Sequence, residues 1–273
     1  MAHPQIATFA RLAGENSQPA RVIYGQKTLM SRTMHDIRYD AVHDEFLVTN
    51  PFALAVLVFR GGTNGEEAPI RIIQGPKTMI GGADRLEVDP INNEIFVPEG
   101  DKILVFPRTA QGDVAPIRVI EGPDTLLSYA ESVVADPVHN LIFTGTQDRR
   151  GNLGGGALMS YNRTDNGNVK PKTVVRGPRA GIVRINQMDI YPQKSWVIAT
   201  MPGRQDQREP EGVFVGIWNI TDNGDVAPRW KISGPKSGLL KPRGVVLDPA
   251  HKEVIVSDMR LNSVLTFYYP EIF

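Results

Sequence analysis

The stretch "PIRIIQGPKT" at 69–78 returns as "PIRVIEGPDT" at 116–125, and the reading of this phrase decides the fold. Aligning its glycine gives Gly25, Gly75, Gly122, Gly177 and Gly234, at spacings of 50, 47, 55 and 57 residues, inside "RVIYGQ", "RIIQGP", "RVIEGP", "TVVRGP" and "WKISGP". A second series, "RYDAVHDEFLV", "LEVDPINNEIFV", "VVADPVHNLIF", "MDIYPQKSWVI" and "VVLDPAHKEVIV", reads as strand, Asp-Pro type turn, strand. Its turn position falls on Asp40, Asp89, Asp136, Tyr191 and Asp248. A third series is a short apolar run closed by an aromatic at Phe9, Phe59, Phe106, Tyr161, Trp218 and Phe267. Three signals keeping one period identify a repeat protein.

Each unit holds about four short strands rich in β-branched and aromatic residues, separated by turns such as "GTNGEE", "TAQGDV", "TDNGNV" and "TDNGDV". No segment carries sustained helical apolar spacing. Four strands in a period of roughly 40–50 residues define a propeller blade. With the strands of a unit labelled a to d from axis to rim, the chain reads c-d, four complete a-b-c-d units, then a-b-c. The expected fold is all-β: a single β-propeller domain over 1–273, with five four-stranded blades favoured and six as the alternative. The units are about 34–80, 81–127, 128–181, 182–238, and 239–273 closed by 1–33. In that scheme the N-terminal d strand around "ARVIYG" completes the C-terminal a-b-c. One c strand is surplus, either "IATFAR" or "SVLTFYY". Its simplest place is beyond a d strand, beside its hairpin neighbour; otherwise it fills a sixth, incomplete blade or pairs with another subunit to give a homo-oligomer.

Composition narrows the function classes. Lys+Arg and Asp+Glu balance at 30 each, and no basic run occurs, which argues against a nucleic-acid partner. With no cysteine there are no disulfides, zinc-thiolate sites or thiol nucleophiles. No apolar segment reaches transmembrane length, so membrane insertion is not expected. The N-terminal stretch lacks the features of a signal peptide. The chain is therefore cytoplasmic, or secreted or periplasmic with a signal already removed, the second being slightly favoured.

The pattern "VDPINNEIFVPEGDKILVF" resembles the NHL-type repeats of bacterial β-propeller proteins, and "FPRTAQGDVAPIRVIEGP" is similar to the unit tails of uncharacterised bacterial members. This resemblance implies the propeller fold over nearly the whole chain. It leaves function open, since such propellers include scaffolds, ligand binders and hydrolases.

In a propeller the d-to-a connectors and b-to-c turns share one face at the channel mouth. The residue five before each turn position, where strand a begins, is His35, Asp84, Glu131, Asn186 or Arg243, so five equivalent positions carry five different polar groups. Two residues further in stand Ile37, Leu86, Val133, Met188 and Val245, all apolar. A wet channel mouth tolerates polar residues without further meaning. As a site, Asp84, Glu131 and Asn186 supply hard oxygen ligands of the kind Ca²⁺ takes, with His35 as proton-transfer group and Arg243 as anion clamp. The ring resembles the axial calcium sites of six-bladed lactonases, although their motifs do not match residue by residue. One position below, Arg38, Glu87 and Asp189 are expected to pair with one another or reach channel water.

The b-to-c turns lengthen in the third and fourth units to "GTQDRRGNLGGG" and "TMPGRQDQREPEG". These bring Asp148, Arg149, Arg150, Arg204, Gln205, Asp206 and Arg208 to the same face, where they would grip an acidic or sugar-like ligand. His43, His139 and His251 read as turn residues. No nucleophile elbow, phosphate loop or His-Glu metal helix is present. Three functions follow: a binding or scaffold propeller holding a small molecule or protein on the channel-mouth face, a calcium-dependent lactonase- or esterase-like hydrolase, and a self-assembling structural protein. Whether the chain is an enzyme stays open, and no cofactor beyond the calcium alternative is implied.

Overall fold

A computed structural model describes residues 4–82, 84–148, 152, 154–204 and 212–273. Among them the chain forms 21 β-strands, with short 3-10 turns as the remaining regular structure. It divides into two compact units, residues 1–99 with 104–117 and residues 100–103 with 118–273.

In the first unit β1 (Gln5–Thr8) pairs antiparallel with β2 (Arg21–Tyr24). Strands β3 (Ile37–Asp40), β4 (Glu45–Asn50), β5 (Ala55–Arg60) and β6 (Arg71–Gln74) form a four-stranded meander. The next sheet in chain order holds β7 (Glu87–Asp89), β8 (Glu94–Glu99), β9 (Lys102–Pro107) and β10 (Arg118–Glu121), of which β10 and the first two residues of β9 belong to the second unit. In the second unit β11 (Ala130–Asp136), β12 (Leu141–Thr146), β13 (Ala157–Asn162) and β14 (Thr173–Val175) repeat the pattern. So do β15 (Met188–Tyr191), β16 (Trp196–Pro202), β17 (Val213–Asn219) and β18 (Trp230–Ser233). The last sheet is β19 (Pro242–Asp248), β20 (Glu253–Asp258) and β21 (Ser263–Tyr268). The fold class is the all-β, five-bladed propeller with four-stranded blades. β2, expected to complete the C-terminal strands, takes its hairpin neighbour β1 ("IATFAR") as ladder partner, and the last sheet has three strands.

Burial follows the position of a strand in its sheet. Strands b and c of the four complete repeats are largely buried on both faces, as in β5, where Ala55 to Phe59 are all buried, whereas the c strands β1 and β21 are not. Four of the five outer strands bury one apolar residue each, namely Ile23, Ile73, Ile120 and Val175, between polar or half-exposed neighbours. The aromatics closing strands c anchor the cores: Phe59, Phe106, Tyr161 and Trp218 are fully buried. Trp218 donates its indole N–H to Val226 O at 3.2 Å, and Tyr161 donates its hydroxyl to Thr125 O, so their polar atoms are satisfied where they are buried. Phe9, at the end of β1, is instead half-exposed.

The opening phrase and the Gly-containing turns turn out to be two halves of one joint. After each strand c, a glycine in the left-handed region (Gly65 φ 70°, Gly112 φ 74°, Gly167 φ 73°, Gly224 φ 82°) forms a parallel bridge to the outer strand of the preceding repeat, at Ile23, Ile73, Ile120 and Val175. In the joint on β10, Gly167 N donates to Val119 O at 2.6 Å and Glu121 N donates back to Gly167 O at 3.2 Å. The residue before the glycine accepts an outer-strand amide: Val22 N to Asn64 Oδ1, Val119 N to Asn166 Oδ1 and Val174 N to Asn223 Oδ1. The residue after it caps the exit turn: Glu66, Asp113, Asn168 and Asp225 accept from the backbone N–H of Lys27, Lys77, Asp124 and Arg179. Only a residue tolerant of positive φ presents its amide and carbonyl this way, which is why glycine recurs there.

The a-to-b turns are equally regular. Asp40, Asp136 and Asp248 accept from the backbone N–H three residues on and from Nδ1 of His43, His139 and His251, at 2.8, 2.7 and 2.7 Å for the imidazoles. These three histidines are turn residues, as expected, and their side chains close the Asx turn a second time.

Candidate functional site

In four of the five repeats a hydroxyl on strand b bonds the start of strand a. Thr49 Oγ1 accepts from Asp36 N at 3.0 Å and donates to Asp84 O at 3.2 Å. In the second unit Thr200 Oγ1 accepts from Gln187 N at 3.1 Å and donates to Arg243 O at 3.0 Å. Each hydroxyl thus ties the strand a beside it to the candidate residue of the following repeat. Thr144 donates to Ser132 O at 2.8 Å, and Ser257 accepts from Gly244 N at 2.9 Å. Sequence reasoning passed over this peg, although a partial signal was there: the aligned position reads Thr49, Pro98, Gly145, Thr200 and Ser257, with Thr144 one residue out of register. A second lateral tie comes from the residue after the candidate position. Asp36 Oδ2 accepts from Leu86 N at 3.1 Å, and Gln187 Oε1 from Val245 N at 2.9 Å.

In the first unit His35 Nδ1 donates to Asp84 Oδ1, and both side chains are substantially exposed, 36% and 55%. Arg85, missed by sequence reasoning, fixes the backbone beneath them by donating from Nη1 to His35 O at 2.7 Å and Asp84 O at 2.9 Å. Below, Arg38 Nε lies 3.7 Å from Glu87 Oε2 and 3.8 Å from Asp36 Oδ2 and donates to Leu86 O at 3.2 Å, the charge pairing expected of this level. Of the five apolar positions two residues further in, Ile37 is 47% exposed, whereas Leu86, Val133, Met188 and Val245 are buried. It opens onto a cavity of about 490 Å³ lined also by Ile6, Arg21, Ile23, Tyr39 and Phe46. At its edge Tyr39 donates to Asp44 Oδ1 at 2.8 Å, and this bond to a carboxylate raises the phenol above its ordinary value.

In the second unit Asn186 is buried, its backbone N–H donating to Thr200 O at 3.1 Å. Glu131 Oε1 lies 3.9 Å from Nη1 of the buried Arg184, another partner that the repeat alignment did not single out. Arg243 is half-buried and borders an open cavity of about 460 Å³ with Ser257, Asp258, Met259, Asn262, Ser263 and Val264. Asp258 is consumed structurally, its carboxylate accepting from the amides of Leu240, Lys241, Arg260 and Leu261. Leu247 N donates to Asp189 Oδ2 at 2.7 Å, so Asp189 joins neighbouring inner strands.

Of the long-turn residues, Arg204 is half-buried beyond β16, and Asp148 folds into its own loop, accepting from Asn152 N and Nδ2 at 3.1 and 2.7 Å. Arg149, Arg150, Gln205, Asp206 and Arg208 lie outside the described residues. Among the described residues no group of three or more His, Asp or Glu side chains is placed to hold a metal ion. Asp84 engages His35, and Glu131 faces Arg184. No helix is long and apolar enough to cross a membrane, among the residues described.

A separate charged cluster in the first unit is structural. Glu45 receives both Arg71 Nη1 at 2.8 Å and Arg71 Nη2 at 2.5 Å, with Arg108 Nη1 at 2.9 Å. The Arg71 guanidinium holds the Glu45 carboxyl below the ordinary carboxylate range.

The fold and these pegged polar positions define a β-propeller with varied polar side chains on a uniform backbone. No protein-family model matches the chain, and no curated protein matches it. Solved structures of the same fold do. A hydrazine synthase chain of Kuenenia stuttgartiensis is 13% identical with a TM-score of 0.56, the match covering 85% of this chain and 58% of that one. This chain therefore spans less than two thirds of the hydrazine synthase chain. A chain of a nidogen/laminin complex is 15% identical with a TM-score of 0.57, covering 86% of this chain and 80% of that one.

Proposed function

We propose that this chain is a binding or scaffold propeller, and that the side chains at the starts of the inner strands read its ligand or protein partner. The observation that carries this reading is the peg. Thr49 and Thr200 hold the backbone at Asp84 and Arg243 in the same way, while the side chains differ completely. A conserved geometry with varied chemistry is how a rigid scaffold supports recognition. In the second unit Arg243 would clamp an anionic group at the mouth of its cavity. A protein partner accords with the fold's presence in a nidogen/laminin complex. The repeats are read as NHL-like on their Asp-Pro turn and Gly-Pro exit.

The test is ligand-dependent stabilisation across a panel of sugar acids and acidic peptides. Binding to the folded state raises the melting temperature by mass action. A ligand of this site should raise it in the native chain and fail to do so in Arg243→Ala. Ester or lactone turnover abolished by His35→Ala, with the fold intact, would overturn the reading.

One observation favours a hydrolase as second reading: the exposed His35–Asp84 pair leaves Nε2 of a carboxylate-oriented imidazole directed away from that bond, as a general base requires. Calcium at Asp84 would belong to this reading. Millimolar calcium should then raise the melting temperature, and no rise, or one unchanged in Asp84→Ala, would dismiss it.

A further inference from the structure

The sequence contains three Asn-Gly pairs, Asn64-Gly65, Asn166-Gly167 and Asn223-Gly224, and all three lie in the joints between repeats. Two structural demands bring the residues together. The glycine position takes a positive φ, and a Cβ there would meet nothing within 4 Å, so backbone conformation alone selects glycine. The position before it presents a short side-chain acceptor to an amide of the outer strand, which asparagine supplies. In the fourth joint Gln111 stands before Gly112 instead. Together these demands write the dipeptide in which asparagine is least durable, because a following residue without a side chain lets its backbone nitrogen reach the asparagine Cγ unhindered.

The joint holds both reacting groups. The nucleophile is the glycine nitrogen, whose N–H is given to the outer strand: Gly65 N to Val22 O at 2.8 Å, Gly167 N to Val119 O at 2.6 Å and Gly224 N to Val174 O at 2.8 Å. The electrophile is the asparagine Cγ, and its Oδ1 accepts from Val22 N at 3.1 Å, Val119 N at 2.9 Å and Val174 N at 2.8 Å. One outer-strand residue thus engages both ends of the reaction path in each joint. Ring closure requires the glycine amide to lose its proton and the asparagine side chain to turn onto it, and each movement breaks one of these bonds. Water is at hand, since Asn64, Asn166 and Asn223 are exposed.

We propose that Asn64, Asn166 and Asn223 are deamidation sites gated by the joints, and that the modification makes the opening of a joint irreversible. While a joint is open, the glycine nitrogen gives its proton to solvent base and attacks Cγ. The Cγ–Nδ2 bond breaks, and Nδ2 leaves as ammonia after taking a proton from solvent. The product is a succinimide, and water then adds to one of its two carbonyls. Cleavage at Cγ leaves aspartate, whose carboxylate still accepts the outer-strand amide. Cleavage at the main-chain carbonyl leaves isoaspartate, in which the chain runs through Cβ and Cγ and gains a methylene just before the glycine. The glycine amide and carbonyl then fall out of register with the outer strand, and the bridges to the buried Ile23, Ile120 and Val175 do not re-form.

Peptide mass spectrometry of the full chain, aged at mildly alkaline pH with and without denaturing urea, tests this. In urea the three asparagines should react at similar rates. In the folded chain each should be slower by roughly tenfold or more, because reaction waits for the fraction of time that its joint is open. Two variants separate the joint from general burial. Val119→Pro removes the N–H that Asn166 accepts, at an edge position where proline is tolerated, and should speed Asn166 while leaving Asn64 and Asn223 unchanged. Gln111→Asn writes a fourth Asn-Gly pair into an existing joint on an exposed side chain, and should react fast in urea and slowly when folded. Aged chains carrying isoaspartate at 166, recognised by enzymatic methylation, should melt below Asn166→Asp. Folded rates equal to those in urea, an unchanged Asn166 rate in folded Val119→Pro, or an unprotected site in folded Gln111→Asn would each overturn the gating. Isoaspartate chains that melt with Asn166→Asp would overturn the irreversible opening.

Discussion

Replacing Thr200 by valine tests the peg beneath Arg243. The side chains have nearly the same shape, so the exchange removes a hydroxyl and little else. Thr200 is fully buried, and its oxygen accepts from Gln187 N at 3.1 Å while its proton goes to Arg243 O at 3.0 Å or Gln187 O at 3.2 Å. Valine leaves the Gln187 amide without this acceptor and the Arg243 carbonyl without this donor. Leaving a buried polar group unpaired costs about 1–3 kcal/mol, and about 2 kcal/mol corresponds to a fall of roughly 4–8 °C in melting temperature for a chain of this size. Thr200→Ser keeps the hydroxyl and loses one methyl, a cost of about 1 kcal/mol. Thermal and urea denaturation should therefore rank the proteins native, serine, valine. A valine variant as stable as the native chain, or a serine variant less stable than valine, would refute the claim that the hydroxyl holds these strands together.

Two further outcomes follow from the first unit. Glu45→Gln should destabilise the chain at neutral pH by about 2–4 kcal/mol, because it breaks a largely buried carboxylate–guanidinium cluster. The folded-state carboxyl lies below its ordinary value, so its contribution is present above the unfolded value and lost as pH falls through the folded one. Urea midpoints of native and variant should converge in acid, and an equal gap at pH 7 and pH 3 would show that the pair is not its source. Gly112→Ala should cost about 1–2 kcal/mol through its left-handed backbone alone, since a Cβ there meets nothing within 4 Å. Gly62→Ala, which also meets nothing within 4 Å, should be near neutral, and equal effects in the two would remove the conformational argument.

Strand number and order were legible because the same burial problem is solved in every unit, and the solutions recur at one period. Five a, five b, six c and five d strands read from the phrases are the strands observed. Aromatic closure of strand c, the His turns and the Arg38–Glu87 pairing were legible for the same reason. The peg was less so. Pro98 and Gly145 interrupt the Thr/Ser series, and a buried threonine in a strand reads as ordinary β propensity until its hydroxyl is seen between two backbones. Ile37 shows the opposite limit. Its periodicity matches four buried equivalents, yet burial depends on what lies against β3, which no local pattern encodes. Partners of Glu131 and Asp84 were hidden because Arg184 and His35 meet them across repeats.

The joint also bears on how such a chain lengthens. Each glycine loop grips only the outer strand before it, so duplicating one repeat copies both a grip and a surface to be gripped. Recombination between repeats can then change their number without inventing a new contact, as in other arrays with nearest-neighbour coupling. The longer spacings, 55 and 57 residues, come largely from the b-to-c turns, in which, among the described residues, none of the glycine bridges falls. Growth in those turns leaves the glycine fastening alone, so new recognition sequences can be trialled there, even where a turn bonds the next connector as Asp148 and Gly156 bond Val183 and Ile182.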